Sequence, residues 1–375
     1  MKFSTRAIIS FASFIKPIVV INVFGVESKK KLSASTSSKV RAEAIATTGE
    51  TGLLNSLSGK ASNVNIVSSS GDPGAGSYVQ IRGQNTITGN TQPLYVVDGI
   101  PISSQEIGSS NNTAGVNQQS RISDLNPNSI ESVTILKGAS ASALWGFRAA
   151  NGVVLITTKK GKGKLSVELN SSYSVDEVNV RFRTQDLFGQ GNAGRSNNFT
   201  TANSWGDLIS NRSGAADAVN TAGAYFVSDR GNTYYPITQK NSRANFNDSN
   251  YDSVINTGYT SNQNLSLSGG GENGSFYLAL GNVRQDGVIR NSTFNRTNID
   301  FNSTYRLGDK TTFKGKMSYS TSNSNRVQQG SNLSGLLLGL YRSPADFDQR
   351  DYIGTNFTAA GVPTLGSHRA YRAQQ

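Results

Sequence analysis

Leu144-Trp145-Gly146-Phe147-Arg148-Ala149-Ala150-Asn151-Gly152-Val153, continuing through Val154-Leu155-Ile156-Thr157-Thr158-Lys159-Lys160-Gly161, is the stretch on which the fold turns. Its first half is small and punctuated by glycine. Its second half, Val153 to Thr158, is a short β-branched run that reads as a strand and stops at a lysine-rich connector. Upstream, Ala139 to Leu144 reads as a small-residue helix and Ser132 to Leu136 as a strand, and Asn126-Pro127 opens a helical turn. Leu94 to Pro101 reads as a buried strand closing on the Asp98-Gly99 turn, and Tyr78 to Gly83 as an alternating strand ending on glycine. Before these, Gly71-Asp72-Pro73-Gly74 is a turn, Val64 to Val67 a strand, and Leu53, Leu54 and Leu57 one face of a short amphipathic helix. Residues 41–163 are thus expected to form a small mixed α/β domain with one modest core.

Downstream of Gly163 the period changes to two. Leu165, Val167 and Leu169 share one face, and the same alternation recurs at Leu265/Leu267, Phe276/Leu278/Leu280, Ile299/Phe301 and Phe313/Met317/Tyr319. Such strands suit either a membrane barrel, apolar outside and polar inside, or a soluble sandwich. Between Asp176 and Tyr259 a long polar segment shows no regular period and is expected to form one or more large loops.

Composition agrees with an all-β chain. Among 375 residues there are 39 glycines, and hydrophobic residues are 35%, low for one compact water-soluble core of this length but suited to a plugged or water-filled barrel. Cysteine is absent and the single histidine, His368, lies near the end, so thiolate chemistry and a hydrolase triad are excluded and no metal or cofactor is expected. Asp346, Asp348 and Asp351 lack the glycine and distal glutamate of a calcium loop and read as solvated loop charge. The net charge of +12 is distributed in short clusters, Lys29-Lys30-Lys31 and Lys159 to Lys164, which reads as linker charge and not as a nucleic-acid surface.

Residues 1–17 have the outline of an export leader, with Lys2 and Arg6 before a short apolar run, but Lys16 and Pro17 interrupt it; the alternative is a start inside a longer frame. The run Ile18, Val19, Val20, Ile21, Asn22, Val23 is a strong β-former beside a polar linker, able to add a strand to a partner's sheet or to serve as an ordinary edge strand.

The series Tyr78 to Gly83, Leu94 to Pro101, Ile130 to Gly138 and Leu144 to Lys160 resembles the plug of SusC/RagA-type TonB-linked outer-membrane proteins, here the N-terminal portion. Phe188-Gly189-Gln190-Gly191, Asn203-Ser204-Trp205-Gly206, Gly269 to Asn273 and Asn325 to Gly330 resemble the same family. The resemblance implies a plug at 41–163, bearing the motif residues Gly83, Asp98, Gly99, Gly138, Gly146, Arg148, Asn151 and Gly152. It also implies antiparallel transmembrane strands of a 22-stranded β-barrel, with long extracellular loops, over 164–375. It gives residues 18–40 the role of TonB box and linker, with Ile18, Val19, Val20, Ile21 and Val23 as the box. Arg82 and Lys137 become gate charges facing wall carboxylates, with Glu131 as the matched acidic residue and Thr134 standing where the family often has a second.

For function, the resemblance implies a transporter and not an enzyme. The implied protein imports glycans or peptides across the outer membrane of a Gram-negative, Bacteroidota-like cell. Its implied partners are TonB, a SusD-like surface lipoprotein and outer-membrane lipid, with no nucleic acid. A secreted or surface glycan-binding adhesin is the alternative; it has no reason to carry a plug series behind a docking peptide. Twenty-two strands of about 10 residues need on the order of 400 residues beyond the plug. About 210 come after Gly163, so the chain is expected to be a truncated piece, inactive alone.

Overall fold

A computed structural model describes residues 20–23, 26–29, 37–46, 48–84, 91–103, 120–138, 145–196, 203–308, 310–328, 336–351 and 353–364. The leader-like segment 1–17, Ile18, Val19 and the expected helix Ala139 to Leu144 lie outside these residues. β1 (Val20–Val23) pairs antiparallel with β2 (Val26–Lys29), a hairpin containing the described part of the docking peptide.

β3 (Ser37–Arg41) begins the plug, so the ordered domain takes in residues placed by sequence in the linker. The single amphipathic helix expected from the leucines resolves into two short ones, α1 (Ala42–Ala46) and α2 (Leu53–Ser56). β4 (Val64–Ser68) and β5 (Ser77–Ile81) form a separate hairpin. β6 (Leu94–Val97) and β7 (Ile100–Ile102) flank the Asp98-Gly99 turn, whose residues both have left-handed backbones (φ 48° and 91°). After two 3-10 turns come β8 (Ile130–Leu136) and β9 (Val153–Thr158).

The main plug sheet runs β3-β8-β9-β6-β7, with β9 parallel to β6. Its core is built from Val40, Ile45, Leu53, Leu57, Val79, Tyr95, Ile122, Val133, Ile135 and Ile156. Gly152 is required at its place, because its φ is 94° and a Cβ there would stand 2.9 Å from the Leu136 carbonyl and 2.8 Å from Ile81.

The wall starts with β10 (Ser166–Asp176). The long segment after it is not a bare loop, as its lack of period suggested. It carries short strands, β11 (Gly191–Asn192), β12 (Arg195–Ser196), β13 (Ala218–Val219), β14 (Tyr225–Ser228), β15 (Thr233–Tyr234) and β16 (Ile237–Gln239), and then α3 (Asn247–Val254). The wall resumes with β17 (Gly258–Gly270), β18 (Gly274–Asp286), β19 (Thr293–Leu307) and β20 (Thr311–Asn325). α4 (Leu336–Arg342), β21 (Gly354–Phe357) and β22 (Pro363–Thr364) return to the excursion, where β21 pairs with β14.

β10, β17, β18, β19 and β20 make one antiparallel sheet. Register aligns the apolar positions into belts across all five strands: Leu169, Leu265, Leu280, Ile299 and Tyr319 form one, and Val167, Leu267, Leu278, Phe301 and Met317 the next. The opposite face is polar, with rows such as Asn170, Asn264, Gly281, Asn298 and Ser320. Aromatic residues stand toward both ends of the outer face, Tyr173 stacked on Tyr259 at one and Tyr305 paired with Phe313 at the other. Turns of three residues join β17 to β18 and β19 to β20 at the second end, while the long excursion leaves from the first. This asymmetry, with a continuous apolar outer band, is the pattern of a membrane barrel wall. Among the described residues no helix is long and apolar enough to cross a membrane.

Candidate functional site

The polar face of the wall meets the plug along a seam of hydrogen bonds, and this seam is the candidate site. Two helical turns of the plug supply one bank. Ser120 caps the turn Arg121–Asp124 by accepting from the Ile122 amide, and Asn126 caps Pro127–Ser129 by accepting from the Asn128 amide. These caps leave carbonyls and side chains aimed at the wall. Arg296, 2% exposed, donates to the carbonyls of Ser123 and of Thr51, the latter at 3.1 Å. Asn298 donates to the Asp124 carbonyl at 2.7 Å, Asn126 donates to Asn264 at 2.7 Å, and Ser129 donates to the Asp300 carboxylate at 2.7 Å. Burial pushes the Asp124 carboxyl up, against the opposing charges of Arg121 and Arg296.

Glycines set how closely the banks approach. A Cβ on Gly281 would stand 2.6 Å from the Asn126 amide, and one on Gly74 (φ 65°) would enter the ring of buried Phe294. At the connector, a Cβ on Gly161 would enter the carbonyls of Phe276 and Gly269.

The second bank is the Asp98 turn. Asp98 accepts from the Thr158 amide at 2.9 Å and the Thr158 hydroxyl at 2.6 Å, and it forms an ion pair with Lys316 of β20. Asn302 of β19 donates to the Thr158 hydroxyl at 3.2 Å and the Lys159 carbonyl at 2.7 Å. Burial would raise the Asp98 carboxyl, but the bonds from Lys316 and Thr158 overcome it and hold the group below its usual value. A carboxylate lowered in the folded state stabilises fully above its unfolded value near 4, and the contribution is lost as pH falls through the folded value. Acid titration of the full-length protein should therefore leave this contact intact from pH 8 to about 5 and release it only below about 4. Hydrogen exchange at the Thr158 amide checks this; loss of protection already at pH 6 would contradict it.

The expected gate residues are placed differently from one another. Lys137 is buried and donates within the plug, to Ser38 at 2.8 Å and to the carbonyl and hydroxyl of Ser62 at 2.6 and 3.0 Å. Arg82 (φ 63°) lies against Gly138, where a Cβ would stand 2.8 Å from its guanidinium. Burial, then the charge of Arg82, lowers the Lys137 amine. Glu131 pairs with Lys162 at 2.7 Å in the connector. The wall carboxylates Asp300 and Glu168 meet Ser129 and Ser318, and Lys159, respectively. Of the motif residues, Gly146 (φ 67°) precedes the turn Phe147–Ala149, Asn151 donates to the Gln92 carbonyl at 3.2 Å, and Arg148 is exposed. Gly83 and Gly99 occupy left-handed turns.

In the excursion, Asp346 and Asp351 are not solvated, as their spacing suggested, but buried. Arg212 bridges Asp207 at 2.7 Å and Asp346 at 2.8 Å, while Asp351 accepts from Asn232 at 2.6 Å and from the Tyr234 hydroxyl. Asp348 pairs with Arg350. Among the described residues no group of acidic or histidine side chains is placed to hold a metal.

Known proteins resemble this chain both in sequence and in fold. The model of the TonB-dependent receptor plug domain matches residues 28–153. TonB-dependent receptor P26 of Formosa agariphila is 30% identical over 302 residues, 80% of this chain and 26% of that protein. TonB-dependent receptor SusC of Bacteroides thetaiotaomicron is 30% identical over 248 residues, 66% of this chain and 20% of that protein. A chain of the RagAB peptide importer in its open-open state superposes with TM-score 0.61 at 25% identity, covering 82% of this chain and 32% of that one. The chain belongs to the SusC/RagA-type TonB-dependent receptors. As such a receptor it spans about a quarter of the length of the curated relatives it matches.

Proposed function

We propose that the full-length SusC/RagA-type protein is an energised importer of glycans or peptides in the outer membrane of a Bacteroidota-like cell. In this reading TonB engages the β-branched peptide at residues 18–23 and pulls the plug aside, while a SusD-like lipoprotein covers the extracellular mouth. The observation that carries it is the seam: a plug held to the wall by polar bonds and glycine contacts is closed at rest without being fused to it. Arg82, with Lys137 behind it, is the charge proposed to latch the plug against wall carboxylates, and Glu131 with Lys162 steadies the connector. The adhesin reading gives such a seam no purpose.

The test is uptake of labelled oligosaccharides and oligopeptides by cells expressing the full-length protein. Uptake of one class, abolished by deleting TonB or by Val20→Pro, Ile21→Pro in the docking peptide, is expected; TonB-independent uptake would overturn the reading. The same cells carrying Arg82→Ala, Lys137→Ala should leak small antibiotics. Unchanged leak and unchanged uptake would remove the latch role.

A further inference from the structure

The plug sheet has two edges with different attachments. β3 is one edge, continuous with the peptide at which a pull would enter, and it has β8 as its single neighbour in that sheet. The hairpin β6-β7 is the other edge, and its turn carries Asp98. Among the described residues, ion pairs join plug to wall at two places. Lys159 and Glu168 meet at 3.8 Å beside the connector, with Glu168 54% exposed. Asp98 and Lys316 meet far from the connector in sequence, with 20% and 35% of their side chains exposed.

We infer that Asp98 is a positioning residue that anchors the far edge of the plug to β20, so that a pull strips β3 from β8 while β6, β7 and β9 stay docked. This rests on the energised-import reading above. Three features carry it. Asp98 accepts three bonds at once, two from Thr158 on β9 and one from Lys316 on the wall, so it couples the β6-β7 turn to its sheet neighbour and to the barrel together. Asn302 grips the same Thr158 hydroxyl from β19, giving the anchor two wall strands. The near edge is tied differently: among the described residues β3 has no ion pair to the wall, and its Ser38 is held by Lys137 from within the plug. A pull entering at β3 therefore meets bonds within the plug first, and the bonds that Asp98 and Thr158 make to β20 and β19 only after β3 has left β8.

The test uses the full-length protein with Asp98→Asn, Lys316→Gln, the pair, and Lys316→Arg. Asparagine tolerates the left-handed backbone of Asp98, so the first change removes charge without strain. Planar-bilayer conductance of each variant is recorded without TonB under rising urea, beside heat-modifiability to confirm that the barrel is assembled. Either single change should raise open events about tenfold, as expected for one lost charged hydrogen bond. The double change should add nothing further, and Lys316→Arg should restore closure. Resting conductance unchanged in both single variants, or additive effects in the double, would overturn the anchor. TonB-independent uptake by the wild type would instead end the import reading, and leak would still decide whether Asp98 holds the plug.

Discussion

Arg296→Ala will undock the turn Arg121–Asp124 from the wall, with the largest effect of any single change at the seam. The guanidinium lies within the interface and serves the carbonyls of Ser123 and Thr51, which belong to separate parts of the plug. Alanine leaves both acceptors without that donor and a void where a long side chain was, which together cost about 4 kcal/mol. Hydrogen exchange over residues 120–130 of the full-length protein should accelerate by about three orders of magnitude, while the wall strands keep their protection. Arg296→Lys should fall between, because one ammonium does not reproduce a planar fork directed at two carbonyls. Unchanged exchange in the alanine variant would mean that the plug is held elsewhere.

Arg212→Ala will collapse the excursion and spare the plug. Its guanidinium is buried between Asp207 and Asp346, with a third bond to the Ser242 carbonyl at 3.0 Å. Burial opposes its charge, but the two carboxylates outweigh this and raise its pKa. Removing the cation leaves two carboxylates facing each other, and breaking a buried pair in this way costs about 3–5 kcal/mol. Gly189 marks how tight the site is, since a Cβ there would overlap the guanidinium and the Asp346 carboxylate. Near-UV circular dichroism should lose the signal of the Tyr225, Tyr235 and Phe357 cluster, and proteolysis should cut between residues 187 and 246. A variant with native dichroism and native resistance would contradict this account.

The wall was legible because its period is two over ten or more residues, and every apolar position singled out from Leu165 to Tyr319 lies on the outer face. The plug motifs were legible for a different reason: left-handed turns at Gly83, Gly99, Gly138, Gly146 and Gly152 leave glycine in the sequence. The excursion was not, since strands of two to four residues such as β13 and β15 are too short to show a period. The seam was half legible. Alternation marks Asn264, Asn298, Asp300, Asn302 and Lys316 as inward and polar, but their plug partners lie 138 to 218 residues away and no local pattern names them. Lys137 shows the same limit, because its partners Ser38 and Ser62 sit on other parts of the plug and its burial depends on them.

β10 and β17 are neighbours in the wall without being neighbours in the chain. Asp176 pairs with Gly258, so this one seam joins residues roughly 80 apart, whereas β17 and β18 close over a three-residue turn. Loop-closure entropy makes the first pairing costlier than the second by about 3 kcal/mol. The strand that bears this cost is also the one to which the plug is covalently joined through Gly161 and Gly163, and Gly163 accepts a bond from the Gly270 amide at the end of β17. Bringing β10 to the meander and bringing the plug to its seat are therefore thermodynamically coupled, and bonds made by Arg296 and Asn298 help to offset the entropy of a strand pairing they do not touch.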